Sequence, residues 1–215
     1  MTSPGGIRGD DGFYHRAYDI TDDETKQFYA DWAETYDEEL VDGRAYAMPM
    51  RCAEALTRHL DPGDNPVIDL GCGTGLLGRQ LAARGHRTLD GVDYSPEMLG
   101  RAEATGVYRR LWSADLNERQ EPDDGAYAAV AAMGVFSFGH VYAGALDEMT
   151  RILAPGGPLV IGVNEVFVEE GSLTAKIETL EGAGAVEVVE AEYGDHMPES
   201  GVRGWVYVLR RLSSR

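Results

Sequence analysis

The stretch VIDLGCGTGLLG, Val67 to Gly78, decides how this chain folds, and two glycine-loop patterns overlap within it. Read from Gly73, GTGLLG fits G-x-G-x-x-G, the loop that seats a dinucleotide pyrophosphate on a helix N-terminus. Read from Asp69, DLGCGTG fits D-x-G-x-G-x-G, a loop for a nucleoside without phosphate. Both readings share a short apolar strand, a turn that needs residues without a Cβ, and a helix starting near Gly75. Such a loop lies outside the carboxyl end of its strand, where the first N–H groups of the helix meet a ligand.

The readings part at Asp69. In the dinucleotide case the strand runs through VIDLGC and leaves an unpaired carboxylate inside a buried strand, which is costly. In the other case Asp69 ends the strand, accepts hydrogen bonds from loop N–H groups and faces a ligand's ammonium. S-adenosylmethionine carries an α-amino group and no pyrophosphate, so an acid in this loop suits it, whereas a dinucleotide's phosphates would be repelled. Local chemistry favours the sulfonium nucleoside. An NAD(P)-dependent oxidoreductase remains the alternative on this motif alone.

Working outward, short apolar runs alternate with helical periods. Strands are expected over 67–70, 88–93, 108–115, 126–133, 158–164, 185–193 and 205–211, with helices at 75–84, 96–105, 143–153 and 170–182. This order predicts an α/β, three-layer, doubly wound Rossmann-like fold with a mostly parallel seven-stranded sheet. The last two runs have no helix between them and predict an antiparallel edge hairpin. Upstream, Phe28, Trp32, Tyr36 and Leu40 recur at the spacing of one helical face, and a second helical stretch, PMRCAEALTRHL, stops at Asp61-Pro62-Gly63. The expected organisation is a flexible tail over 1–21, a helical cap or lid over 22–62, and a core over 63–215.

Three further acids follow strands. Asp93 in GVDYSPEML is placed to reach the ribose hydroxyls of an adenosine. Ser95 and Pro96 then open a helix as cap and first residue. Asp115 in SADL is placed to accept from an adenine amino group, with Ala114 and Leu116 offering backbone and apolar contact; capping its own loop is an equal alternative. Glu165, with Asn164, follows the fifth strand at the same edge, where both equally suit a turn.

Composition narrows the substrate. The chain has 215 residues, 43% of them hydrophobic, and 19 basic against 37 acidic side chains for a net charge of −18. Such a field repels nucleic-acid phosphates. Lys26 and Lys176 are the two lysines; a high-GC genome or salt adaptation accounts equally for this bias. Cys52 and Cys72 form no C-x-x-C pair, no histidine cluster has metal-ligand spacing, and no apolar run is long enough to span a membrane. The N-terminus lacks a signal-peptide pattern, so the expected location is cytoplasmic.

Taken in order, DLGCGTG, GVDYSPEML, SADL and the turn R-x-L-x-P-G-G ending at Gly157 resemble a class I S-adenosylmethionine-dependent methyltransferase over residues 63–215. The lead-in YADWAETYDEEL, with Tyr46 and Pro49 after it, and the later GVFSFGHV are similar to the methyltransferase-like family typified by the Williams–Beuren chromosome region protein. The resemblance implies that Asp69, Leu70, Gly71, Cys72, Gly73, Thr74 and Gly75 hold the methionine end of the cofactor. It implies Asp93 on the ribose and Asp115 on the adenine, flanked by Ala114 and Leu116. Tyr94 and Met98 would pack beside the adenosine, Met133 and Gly134 would floor the site, and Tyr36 would close over the methionine moiety.

Methyl transfer from a sulfonium is an in-line displacement in which the protein aligns the partners and excludes water. His140, after the fourth strand, is the candidate base or substrate-positioning group, or else a helix cap. Tyr29, Phe136, Phe138 and Asn164 are candidates for the substrate pocket, with core packing the alternative for the phenylalanines. His15 and His196 read as surface residues. The D/N-P-P-Y signature of amino-methylating nucleic-acid enzymes is absent, since the position reads MGVF. The expected function is therefore methylation of a small molecule, with S-adenosylhomocysteine as by-product and no nucleic-acid, membrane or metal partner, by a monomer or homodimer. An S-adenosylmethionine-binding protein with a protein acceptor or a regulatory role is the second reading.

Overall fold

Each pair of neighbouring residues in Val67–Leu70 points to opposite faces of a sheet, and that alternation divides the interior in two. Val67 joins one apolar cluster and Ile68 the other. In the computed structural model, which describes residues 44–63, 65–136 and 141–213, the strands are β1 (Val67–Leu70), β2 (Leu89–Asp93), β3 (Arg110–Ser113), β4 (Ala129–Met133), β5 (Pro158–Asn164), β6 (Val186–Met197) and β7 (Val202–Arg211). They form one sheet in the order β3-β2-β1-β4-β5-β7-β6. The first five are parallel, and β7 runs antiparallel to both β5 and β6. The expected hairpin thus forms, with its second strand inserted between β5 and the edge.

Burial follows position in the sheet. β1 and β5 are buried throughout, whereas the edge strands β3 and β6 carry exposed residues. Helices α1 (Met48–His59) and α2 (Leu76–Ala83) cover one face. Helices α4 (Ala145–Ile152), α5 (Glu165–Glu170) and α6 (Ser172–Gly182) cover the other, and α3 (Pro96–Ala104) packs on β2 and β3.

Two expectations change. The helix expected over 170–182 begins at Ser172, and a further short helix over 165–170, which was not expected, precedes it; Gly171, with φ +93°, separates the two. Asn164 caps the first of them by accepting the Phe167 N–H at 3.0 Å. The second change concerns α1, which the sequence places in a cap. Met48, Cys52, Ala55 and Leu56 are buried on one helical stripe against β4, β5 and β7, so α1 is a layer of the core. Its other side is held by ion pairs from Arg51 to Glu192 and from Arg58 to Glu190 on β6. The helix expected from Asp22, with Tyr29 and Tyr36, lies outside the described residues, as do Phe138 and His140. Among the described residues, no helix is long and apolar enough to cross a membrane.

The closeness of α1 to the sheet depends on Gly162 in β5. A Cβ there would stand 2.5 Å from Cys52 Sγ and 3.0 Å from Met48 Cε. Gly162→Ala is expected to destabilise the protein by about 1–3 kcal/mol through overpacking. Gly100→Ala, in α3 with nothing within 4 Å of the added carbon, is expected to stabilise it by roughly 0.5–1 kcal/mol through helix propensity. Urea unfolding of the two variants, compared at equal slope, checks both signs.

Candidate functional site

The glycine loop begins where β1 stops, at Leu70, as the phosphate-free reading requires. Gly71 turns the chain with φ +73°, and a Cβ on it would lie 2.1 Å from Val135 Cγ1. Its N–H and that of Cys72 both donate to the Val92 carbonyl, at 2.7 and 2.9 Å, which lashes the loop to β2. Gly75 then takes φ +89° at the start of α2. The loop lies between the carboxyl ends of β1, β2 and β4, where the strand order reverses, the place at which open α/β sheets bind ligands.

Asp93 organises the loop from the end of β2. One carboxylate oxygen accepts the Gly73 N–H at 2.8 Å and the other accepts the Ser95 N–H at 2.9 Å. Burial nevertheless holds its carboxyl above the ordinary range, against the lowering by these backbone bonds. Ser95 in turn caps α3, accepting the Met98 N–H at 3.2 Å. Met98 is buried beneath that turn, while Tyr94 stands 39% exposed above it.

Asp69 departs from the expected arrangement. It is 2% exposed and lies within β1, and the loop N–H of Gly73 goes to Asp93 rather than to it. Its partner is the Tyr108 hydroxyl, which donates to Oδ2 at 2.7 Å. Burial drives the Asp69 carboxyl up to about 7, the hydrogen bond from Tyr108 opposes that, and the Asp93 charge adds to it. The cost of a buried acid is therefore met by a tyrosine that the sequence reading places in a strand. Tyr108 in fact stands before β3, and its ring runs beneath α2.

Three glycines make the slot for that ring. A Cβ would come within 2.2 Å of the Tyr108 hydroxyl oxygen from Gly78, 3.1 Å of Cδ1 from Gly91 and 3.2 Å of Cε2 from Gly75. Gly78 is thus a packing glycine, and the side chain it admits is Tyr108. Glycines in a helix and in a strand are the signal that was available, since each marks a close approach.

The remaining residues divide between the rim and the core. Asp115 is exposed and caps its own loop, with Oδ1 accepting the Asn117 N–H at 2.8 Å. Leu116 is buried 3.7 Å from the position of a Gly71 Cβ, and the Ala114 N–H donates to the Asp93 carbonyl at 3.3 Å. Thr74 and Cys72 are buried within the loop, where burial raises the Cys72 thiol. Met133 is half-buried at the end of β4, and Gly134, with φ +69°, follows it. Phe136, for which the sequence left pocket lining and core packing open, is 1% exposed and stacks on Phe167 with ring centroids 6.3 Å apart, which fits core packing. Asn164 is likewise buried and serves as the α5 cap.

One group was misread from sequence. His196 is 3% exposed rather than a surface residue, at the end of β6. Tyr46 meets it edge-on at 5.2 Å, and the Tyr46 hydroxyl reaches to 3.0 Å from where a Gly134 Cβ would be. Burial and the nearby Arg51 charge drive His196 down to about 3, and its Nδ1 has no hydrogen-bond partner among the described residues. A neutral imidazole and a tyrosine thus lie on the β5 side of the loop. No local pattern in YGDHMPES marks this, because the contact joins residues far apart in the chain.

Comparison with known proteins resolves the overlap of the two glycine-loop patterns. A family profile described as a methyltransferase domain matches residues 67–157. Human methyltransferase-like protein 27 is 34% identical over 180 residues, which covers 81% of this chain and 73% of the human one. Demethylmenaquinone methyltransferase of Thermus thermophilus is 36% identical over 107 residues, 47% of this chain and 48% of the other. A structure from Methanococcus maripaludis that carries the name of an S-adenosylmethionine-dependent methyltransferase superposes with a TM-score of 0.67 at 18% identity, covering 86% and 94% of the two chains. The cofactor is therefore S-adenosylmethionine, and the chain belongs to the class I S-adenosylmethionine-dependent methyltransferases, in the family of methyltransferase-like protein 27.

Proposed function

We propose that the enzyme transfers the sulfonium methyl in line to a small-molecule acceptor. The observation that carries this reading is the pairing of a net charge of −18 with a β4 terminus that reads Met133-Gly134-Val135-Phe136. The charge disfavours a polyanionic acceptor, and that tetrapeptide lacks the Asp or Asn and the two prolines of the D/N-P-P-Y signature of amino-methylating nucleic-acid enzymes. Demethylmenaquinone, the acceptor named for the Thermus relative, is a small molecule and fits the same class.

In this reading Asp93 receives the ribose hydroxyls through the lone pairs that the Gly73 and Ser95 N–H groups leave unused. The exposed Asp115 carboxylate, Tyr94, Met98, Ala114 and Leu116 surround the adenine. The 70–75 loop and Asp69 take the methionine end, with the carboxylate as counter-charge to the α-ammonium. Met133 and Gly134 floor the reacting centre, and Tyr46 and His196 border the acceptor side. The protein's part in the chemistry is alignment and exclusion of water, because the methyl arrives already activated. We place the enzyme in the cytoplasm, where its cofactor is made and used.

Two measurements test this. Incubation with methyl-labelled S-adenosylmethionine and an extract separated into metabolites, RNA and protein is expected to label the metabolite fraction. Label confined to RNA or to protein would overturn the small-molecule reading, and no label in any fraction would favour a regulatory binder. Asp93→Ala removes both the ribose acceptor and the anchor of Gly73. Calorimetry should show cofactor affinity reduced by about tenfold or more, ~1.4 kcal/mol.

A further inference from the structure

Tyr108 lies outside the residues that the glycine-loop motifs bring to the cofactor, yet the molecule is shaped around it. Its ring fills the slot left by Gly75, Gly78 and Gly91, on α2 and β2, and its hydroxyl ends 2.7 Å from Asp69 Oδ2. Among the described residues this is the one hydrogen bond that the Asp69 carboxylate receives. A carboxylate accepts at up to four lone-pair positions, so one oxygen of Asp69 is held by Tyr108 while Oδ1 is left for a ligand.

We propose that Tyr108 is a positioning residue of the cofactor site: its hydroxyl holds the Asp69 carboxylate under the glycine loop and ready to ionise, so that binding the cofactor's α-ammonium expels a proton from Asp69. The inference rests on the assignment of Asp69 to the methionine end and deepens it. Without ligand the buried carboxylate is crowded by one charge, that of Asp93, and by the thiols of Cys72 on the loop and Cys52 on α1. Burial pushes Cys52 up to about 12 and raises Cys72 and Tyr108 as well, so none of these three titrates near neutrality. The group whose charge changes there is the carboxyl of Asp69, driven up to about 7.

The signs follow from linkage. An ammonium prefers the ionised carboxylate, so affinity for a cofactor bearing that group falls as pH drops through 7. Asp69 unfolded titrates near the ordinary carboxyl value, about 3.9. The folded, unliganded protein therefore binds the extra proton between about 4 and 7 and loses stability across that window as pH rises. Cofactor at the site offsets this loss. Removing the Tyr108 hydroxyl takes away the one contact that favours the carboxylate, and the inflection must move to higher pH.

The experiment measures the dissociation constants of S-adenosylhomocysteine and of 5′-methylthioadenosine by calorimetry from pH 6 to pH 9. The second ligand has the same adenosine and no amino acid. It therefore reports Asp93 and the adenine pocket without Asp69. For the unaltered protein, S-adenosylhomocysteine should weaken about tenfold from pH 8 to pH 6, with proton release near pH 7, while methylthioadenosine changes little. Tyr108→Phe should shift the inflection upward by about half a pH unit or more and leave affinity at pH 9 and methylthioadenosine binding within about twofold. Asp69→Asn should give a flat profile. It should also raise the urea midpoint of the unliganded protein at pH 8, a readout that stands if the variant binds poorly. Equal profiles for Tyr108→Phe and the unaltered protein, or an equal pH dependence for both ligands, would overturn the proposal. Failure of the unaltered protein to bind either nucleoside at any pH would instead strike at the cofactor assignment itself.

Discussion

A carboxylate inside a buried parallel strand needs a donor, and in this protein that donor must cross under a helix to arrive. The Tyr108–Asp69 hydrogen bond imposes much of what surrounds it. Gly78 opens α2 because a Cβ would overlap the tyrosine hydroxyl. A Cβ at Gly91 in β2 or Gly75 in the loop would also press on its ring, as well as on Leu111 and Cys72 from Gly91 and on Thr105 from Gly75. The same solution occurs one strand over. Asp90 in β2 is fully buried and is met by the Tyr127 hydroxyl at 2.7 Å and by the Arg109 guanidinium on both oxygens. A buried carboxylate whose partner is removed is far more destabilising than the pair is stabilising, so these contacts specify register rather than add stability.

The two acids then diverge. Asp90 meets a full positive charge and is a structural anchor. Asp69 meets a neutral hydroxyl and an unfavourable neighbour in Asp93, and so retains a demand for a cation. The Asp93 carboxyl is raised by burial too, but backbone N–H donors, one of them from the loop that it shapes, oppose that shift. Loop conformation and charge deficit thus fall mainly to different acids, 24 residues apart along the chain, coupled through the Asp93 charge that raises Asp69.

Periodicity made the layers legible. β1 and β5 run over the residues their apolar patterns indicate, because a strand buried on both faces has no register to confuse and is bounded by Gly71 and by Pro158. The strand ends that carry Asp93 and Met133 were legible for the same reason. What escaped was non-local. The alternation of α1 fits a lid as well as a layer, and only the approach to Gly162 settles it. Asp69 looked like an acceptor of loop N–H groups because Tyr108 is 39 residues away. The short helix before Gly171 escaped because Gly171 reads as a first-turn residue until its φ of +93° is known.

The side of the loop that we propose for the acceptor was the least legible part, and the reason is geometric. The cofactor half is made by consecutive strand ends, each with its motif, in chain order. The other half gathers Tyr46 ahead of α1, Gly134 after β4 and His196 at the end of β6, and is tied together by the Ala47 N–H donating to the His196 carbonyl at 2.9 Å. Ala45, just before Tyr46, adopts φ +53°, an uncommon conformation for a residue with a Cβ. A strained residue persists where its surroundings overdetermine it, and here those surroundings hold Tyr46 against His196 and beside Gly134. A cluster built from three distant segments leaves no spacing rule in the sequence, whereas the glycine loop, built from one segment, leaves little else.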